Sequence, residues 1–149
     1  MNIGIFYATY SGGTQMAADF LTQSLKASGH TVDMKPIVKV SFVDTLSYDL
    51  RIFASPSWDN DGKEGQPHID FISFMEKSAG KKFSNKPCVV FGLGDISYGH
   101  FCGAVDHLEK FIKKSGGKLV TESLRIDNYL IDMDGYNKKL AEWAKSFKV

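Results

Sequence analysis

The stretch Ala8-Thr9-Tyr10-Ser11-Gly12-Gly13-Thr14-Gln15 decides how the chain is read, because hydroxyls and glycines join an apolar segment to an amphipathic one there. Gly12 and Gly13 let the backbone approach a bound oxyanion, and the amides of a following helical turn would face it with the positive end of the helix dipole behind them. Thr9, Ser11 and Thr14 add hydroxyl donors. Residues 1 to 25 contain no Lys or Arg, so a phosphate held here would rest on neutral donors alone. The loop has neither the Gly-Lys-Ser/Thr ending of a Walker loop nor the three spaced glycines of a dinucleotide fingerprint. A turn of Ser, Thr and Gly before a helix also occurs as a plain cap, so local chemistry leaves both readings open.

Outward from this loop, strand and helix patterns alternate. Asn2 to Ala8 is a continuous run of β-formers, and Met16, Ala17, Phe20, Leu21 and Leu25 recur at helical spacing until Gly29. Thr31 to Lys35 reads as a second strand, and a helical turn is expected near Val43 to Leu46. Leu50 to Ser55 reads as the third strand, broken by Pro56 and followed by a polar loop to about Gly65. Pro67 is placed at the N1 position of the next helix, whose face is marked by Ile69, Ile72 and Met75. Cys88 to Gly92 is the fourth strand, and Phe101, Val105, Leu108 and Ile112 form the next helical stripe. The fifth strand is expected in two pieces, Lys118 to Val120 and Leu124 to Asp127, before a last stripe of Tyr136, Leu140, Trp143 and Phe147. This alternation predicts an α/β domain with a doubly wound, five-stranded parallel sheet and helices on both faces.

With 149 residues and 43% apolar composition, one domain over residues 1 to 149 is expected. The formal charge of +1 and the scatter of basic residues along the sequence give no sign of a nucleic-acid partner or of a membrane anchor. No apolar run approaches the roughly 18 residues of a membrane span, and Met1 to Gly4 lacks the form of a signal peptide, so a cytoplasmic protein is expected. Cys88 and Cys102 make no CxxC pair, the histidines at 30, 68, 100 and 107 show no zinc spacing, and no metal is expected.

Ligands of such sheets bind beyond the carboxyl ends of the strands, where strand order reverses. Three loops leave those ends: residues 9 to 14, 56 to 65 and 93 to 100. The second carries Trp58 between Ser57 and Asp59, and the third carries Tyr98 between Ser97 and Gly99. Two aromatics beside a phosphate cradle read as the walls of a slot for a flat ring.

Over nearly its full length the chain resembles the flavodoxins, most closely the short-chain type of sulfate-reducing bacteria; this family is itself the standing example of the strand-order rule. Thr9 to Thr14 looks like the family's phosphate motif. Gly92-Leu93-Gly94-Asp95-Ile96-Ser97-Tyr98-Gly99-His100-Phe101-Cys102-Gly103-Ala104-Val105-Asp106 resembles its third loop almost residue for residue, and Leu124 to Asp127 also matches. The resemblance implies FMN, with its phosphate on Thr9, Tyr10, Ser11, Gly12, Gly13 and Thr14 and its ring between Trp58 and Tyr98. Pro56, Ser57, Leu93, Gly94 and Phe101 complete the implied site. Backbone groups of Asp95, His100 and Cys102 would read the pyrimidine edge, while Asp59 and Asn60 approach the N5 and O4 side. It further implies a monomeric low-potential one-electron carrier, cycling between semiquinone and hydroquinone and serving a reductase donor and an oxidoreductase acceptor. The alternatives weighed beside it are an FMN-dependent reductase of a quinone or other small acceptor, and an activating flavoprotein for a radical enzyme.

Three positions depart from the family pattern. Asp59 stands where a glycine is common, whose peptide flips on reduction into a φ > 0 form that Asp adopts less readily, so weaker semiquinone stabilisation is expected. Gly13 replaces the usual Asn, and Tyr10 is bulky for its place. The near-neutral charge also contrasts with an acidic family, which predicts weak steering of basic partners and a shallow salt dependence of electron transfer.

Overall fold

Alternation along Asn2–Tyr7 (β1) sends Ile3, Ile5 and Tyr7 to one side of a sheet and Phe6 to the other, and every neighbouring strand repeats the division. The computed structural model describes residues 1–97 and 99–149. Further elements are Gly13–Ala27 (α1), Thr31–Pro36 (β2), Phe42–Thr45 (α2), Leu50–Asn60 (β3), Lys63–Pro67 (β4), Ile69–Lys77 (α3) and Pro87–Gly94 (β5). Gly103–Lys114 (α4), Lys118–Leu119 (β6), Leu124–Asp127 (β7) and Met133–Ala144 (α5) follow. The parallel sheet runs β2-β1-β3-β5, with β6 and then β7 pairing along the far side of β5 as two pieces of one fifth strand.

Ile3, Ile5, Ile52 and Phe91 bury one face against Leu21 of α1 and Leu140 of α5. Phe6, Phe53 and Val90 bury the other against Phe71 and Phe74 of α3 and Val105 and Leu108 of α4. Phe53 is the hub of that side, with ring centroids 5.7 Å from Phe6, 6.3 Å from Phe71 and 6.1 Å from Phe83.

Three sequence expectations are corrected. Pro56 does not end the third strand: β3 continues to Asn60 and folds back through β4, an antiparallel hairpin that makes a sixth strand. The Ala54 carbonyl accepts from Ala8 on the β1 side, so Pro56, two residues on, turns the same edge toward space beyond the end of β1 and its missing N–H costs no ladder bond. Asp61 (φ 52°) and Gly62 (φ 76°) form the turn, the pair of positive values that a two-residue hairpin needs. Pro67 ends β4 opposite Ser57, and His68, not Pro67, opens α3 by capping it. On α3 the buried side chains are Phe71 and Phe74, while Ile69 is exposed, because the phenylalanine cluster lies on that side.

Candidate functional site

The first loop bends at Gly12, whose φ of 94° lies in the left-handed region that glycine tolerates. Thr9 Oγ1 accepts the Gly12 N–H at 2.8 Å and closes the turn. Helix α1 then begins at Gly13 with no side-chain cap and no acidic residue in its first turn, whereas α2, α3 and α5 are capped by Ser41, His68 and Asp132. Its leading amides therefore point at the space above the sheet without a protein acceptor of the usual kind.

Beside this loop, the end of β3 carries Ser57 and Trp58. Ser57 Oγ accepts the Ala104 N–H at 2.9 Å, tying the start of α4 to β3. Trp58 is 54% exposed, so the indole is a wall and not core. Asp59 falls where the β3–β4 register shifts, between Trp58 and Asn60. Gly65 on β4 and Gly103 on α4 pack backbone to backbone: a Cβ on Gly103 would lie 2.6 Å from the Gly65 carbonyl oxygen.

The third loop is fixed to the strand beside it. The Asn128 N–H donates to the Gly94 carbonyl at 2.9 Å, and the Ile96 N–H donates to Asp127 Oδ1 at 2.9 Å. Asp95 Oδ1 accepts from both the backbone and the hydroxyl of Ser97, at 2.8 and 2.7 Å, which holds its carboxyl below the usual range. Cys102 occupies the N-cap position of α4 in the left-handed region (φ 51°) without a side-chain capping bond; it is fully buried, and burial pushes its thiol up to about 11. Arg125 accounts for the one nearby guanidinium, donating to the Cys102 carbonyl at 3.0 Å and to Asp106 Oδ1 at 2.6 Å.

These loops surround a cavity of about 430 Å³ at the carboxyl ends of the strands, above β1 and β3, where strand order reverses. Thr9, Tyr10, Ser11, Gly13 and Thr14 line it from the first loop, Pro56, Ser57, Trp58 and Asp59 from β3, and Leu93, Gly94, Asp95, His100 and Cys102 from the third loop. Of the other residues expected there, Gly12 shapes the loop from behind, Asn60 pairs with Lys63 in the hairpin, Phe101 lies just before α4, and none of the three lines the cavity. Tyr98 falls outside the described residues. Sequence reading missed Glu64 and Gly65 of the hairpin and Asn128, Tyr129, Leu130 and Ile131. The last four belong to the loop leaving the fifth strand, which obeys the same carboxyl-end rule, and the exposed pair Leu130-Ile131 was its visible signal.

Charges scattered in sequence converge in space. No Lys or Arg lines the cavity among the described residues, while Asp59, Glu64 and Asp95 do. Asp61 and Asp127 lie on the same segments, beside Lys63 and Arg125, and Asp132 and Asp134 stand at the start of α5, ahead of its Lys138 and Lys139. At the amino ends of the strands, Lys77, Lys81, Lys82, Lys86, Lys110, Lys113, Lys114 and Lys118 gather on the ends of α3 and α4 and the turns after them. Those turns are joined by bonds such as Phe83 N–H to the Ser115 carbonyl at 2.8 Å, and none of these lysines forms an ion pair among the described residues.

A doubly wound α/β sheet with an uncapped helix start and an exposed indole around a cavity at its switch point has the architecture of the nucleotide-binding α/β class. The sequence profile of the family described as Flavodoxin matches residues 5–143. A probable flavodoxin 2 of Bacillus subtilis is 37% identical over 125 residues, covering 83% of this chain and 80% of its own length. The flavodoxin of Maridesulfovibrio salexigens is 32% identical over 124 residues, covering 83% and 84%. The crystal structure of oxidised flavodoxin 2 from Bacillus cereus superposes with a TM-score of 0.86 at 30% identity, over 99% of this chain and 97% of that one. The chain belongs to the flavodoxin family of FMN-carrying electron-transfer flavoproteins.

Proposed function

We propose that the cavity holds FMN non-covalently and that the chain is a low-potential one-electron carrier cycling between semiquinone and hydroquinone. The observation that carries this reading is the joint placement of an uncapped helix start and an exposed indole around one cavity without lysine or arginine. The phosphate rests on the amides of the first turn of α1 with the hydroxyls of Thr9, Ser11 and Thr14, a neutral set of donors. Trp58 covers a face of the ring, and Tyr98 is assigned the other. Backbone groups of Asp95, His100 and Cys102 read the pyrimidine edge, with Asp59 toward N5 and O4.

The flavin supplies the electron chemistry, and the protein tunes it. Asp59, Glu64 and Asp95 line the cavity and no lysine or arginine does so among the described residues, so added negative charge on the ligand is opposed and the second reduction moves to lower potential. The carrier works as a cytoplasmic monomer between a reductase that reduces it and an oxidoreductase that it reduces. An absorption spectrum of the purified protein followed by a photoreduction series tests this: flavin bands and then a blue neutral radical are expected. Failure of the folded apoprotein to take up FMN at micromolar concentration would overturn it.

A further inference from the structure

Tyr10 is the residue of the first loop that phosphate binding explains least. Its ring stacks on His68, with centroids 3.9 Å apart and planes 25° from parallel, and also meets Trp58 at 5.0 Å and 44°. Its hydroxyl accepts the Ile69 N–H at 3.1 Å, at the start of α3. His68 beneath it is only 7% exposed and is fixed twice: its backbone N–H donates to Ser55 Oγ at 3.0 Å, and its Nδ1 accepts the Asp70 N–H at 3.0 Å. Tyr10 is thus clamped between a rigid imidazole and the indole, while Trp58 itself stands more than half in solvent on a strand end that bulges at the next residue.

We propose that Tyr10 is a positioning residue for Trp58, through which the phosphate loop sets the angle of the indole wall and so the affinity for the flavin ring. The proposal rests on the FMN reading above. An exposed indole keeps many rotamers, and fixing it only when ligand arrives costs side-chain entropy. A tyrosine ring already seated on His68 meets that cost in the free protein. A residue that merely touches phosphate affects only ligands that carry phosphate; a residue that holds the ring wall affects riboflavin and FMN alike.

The test is titration of the apoprotein with riboflavin and with FMN, in wild type, Tyr10→Thr and Tyr10→Phe, followed by quenching of flavin fluorescence. Threonine supplies a hydroxyl for phosphate and no ring; phenylalanine supplies the ring and no hydroxyl. Tyr10→Thr is expected to weaken both ligands by the same factor, about fivefold, the worth of one aromatic pair, and Tyr10→Phe to stay within about twofold of wild type. Weakening of FMN alone, no weakening of either ligand, or an equal loss in Tyr10→Phe would each overturn the proposal. Time-resolved fluorescence anisotropy of Trp58 in a Trp143→Phe background needs no ligand. Faster indole motion in Tyr10→Thr than in Tyr10→Phe supports the role, and equal motion refutes it. Should wild type take up neither flavin, the functional reading falls, and the anisotropy still decides the link between Tyr10 and Trp58.

Discussion

Arg51 is the largest fully buried side chain, and no carboxylate pairs with it among the described residues. Nε donates to the Thr45 carbonyl at 2.7 Å and one terminal nitrogen to the Pro87 carbonyl at 3.0 Å, while Nη2 has no partner. Burial pulls its pKa down and pushes that of the neighbouring Cys88 thiol up to about 12, so the pair does not trade a proton at neutral pH. Arg51→Ala would leave a cavity and take a charged donor from each of two carbonyls, an expected loss of about 3–5 kcal/mol. Arg51→Met refills the volume and removes the buried charge, so its loss is expected to be clearly smaller. Urea unfolding distinguishes them, and equal losses would contradict the account. Asp59 sets a second expectation at this scale. It is not among the residues at positive φ, the conformation that the resemblance implies for a glycine at this place on reduction. Asp59→Gly removes a penalty of about 1 kcal/mol for entering that region, so the semiquinone formation constant in a reductive titration should rise about fivefold; an unchanged constant would show that the peptide does not turn.

Helix α3 shows how an element joins the core to the site. Its N-cap acceptor is the neutral Nδ1 of His68, so protonation of that ring removes the cap. Burial lowers the His68 pKa below its ordinary 6.5, against the opposing pull of Asp70, whose carboxylate lies 3.6 Å away, and of the Thr9 backbone. The unfolded chain therefore takes up a proton that the folded one resists, and this contribution to stability is complete above 6.5 and fades as pH falls toward the folded value. His68→Asn keeps a capping side chain without the titration, so its stability curve should be flatter than that of wild type as pH falls below 6.5. Parallel curves in thermal melts would refute it. The close seat of α4 on β4 gives another expectation: Gly103→Ala drives a methyl into the Gly65 backbone and should cost about 1–3 kcal/mol while weakening FMN binding. Helices α1 and α4 and the parallel strands were legible because one period governs each and their burial follows it. The β3–β4 hairpin was missed although Asp61-Gly62 is a hairpin turn, because Pro56 looked like an end; whether a proline breaks a strand depends on which neighbour its edge faces. The wrong stripe on α3 has a similar cause. Ile69-Ile72-Met75 and Phe71-Phe74 have equal helical spacing, and the choice was made by Phe42 and Phe53, well outside the helix in sequence, whose rings meet Phe74 and Phe71.

For the whole molecule, net charge is a poor guide to its field. The formal +1 combines a carboxylate-rich end around the cavity with a lysine-rich end at the opposite side of the sheet, separated by the length of β5, about 25 Å at strand rise. A separation of roughly three Debye lengths at physiological salt means that a partner nearing one end is screened from the other. A basic partner would then meet the cavity end as an acidic surface, whatever the total. The shallow salt dependence that composition predicts is replaced by a steep one: the electron-transfer rate to a basic acceptor should fall several-fold between low and physiological ionic strength. Asp59→Asn with Glu64→Gln should flatten that slope, whereas Lys81→Gln with Lys82→Gln, which alters the net charge by the same amount in the opposite direction at the far end, should leave it nearly unchanged. Stopped-flow rates over a salt series measure all three proteins. If the two double variants moved the slope by similar amounts in opposite directions, total charge and not its arrangement would govern encounter. If the far lysines alone moved it, the docking face would be the end away from the cavity.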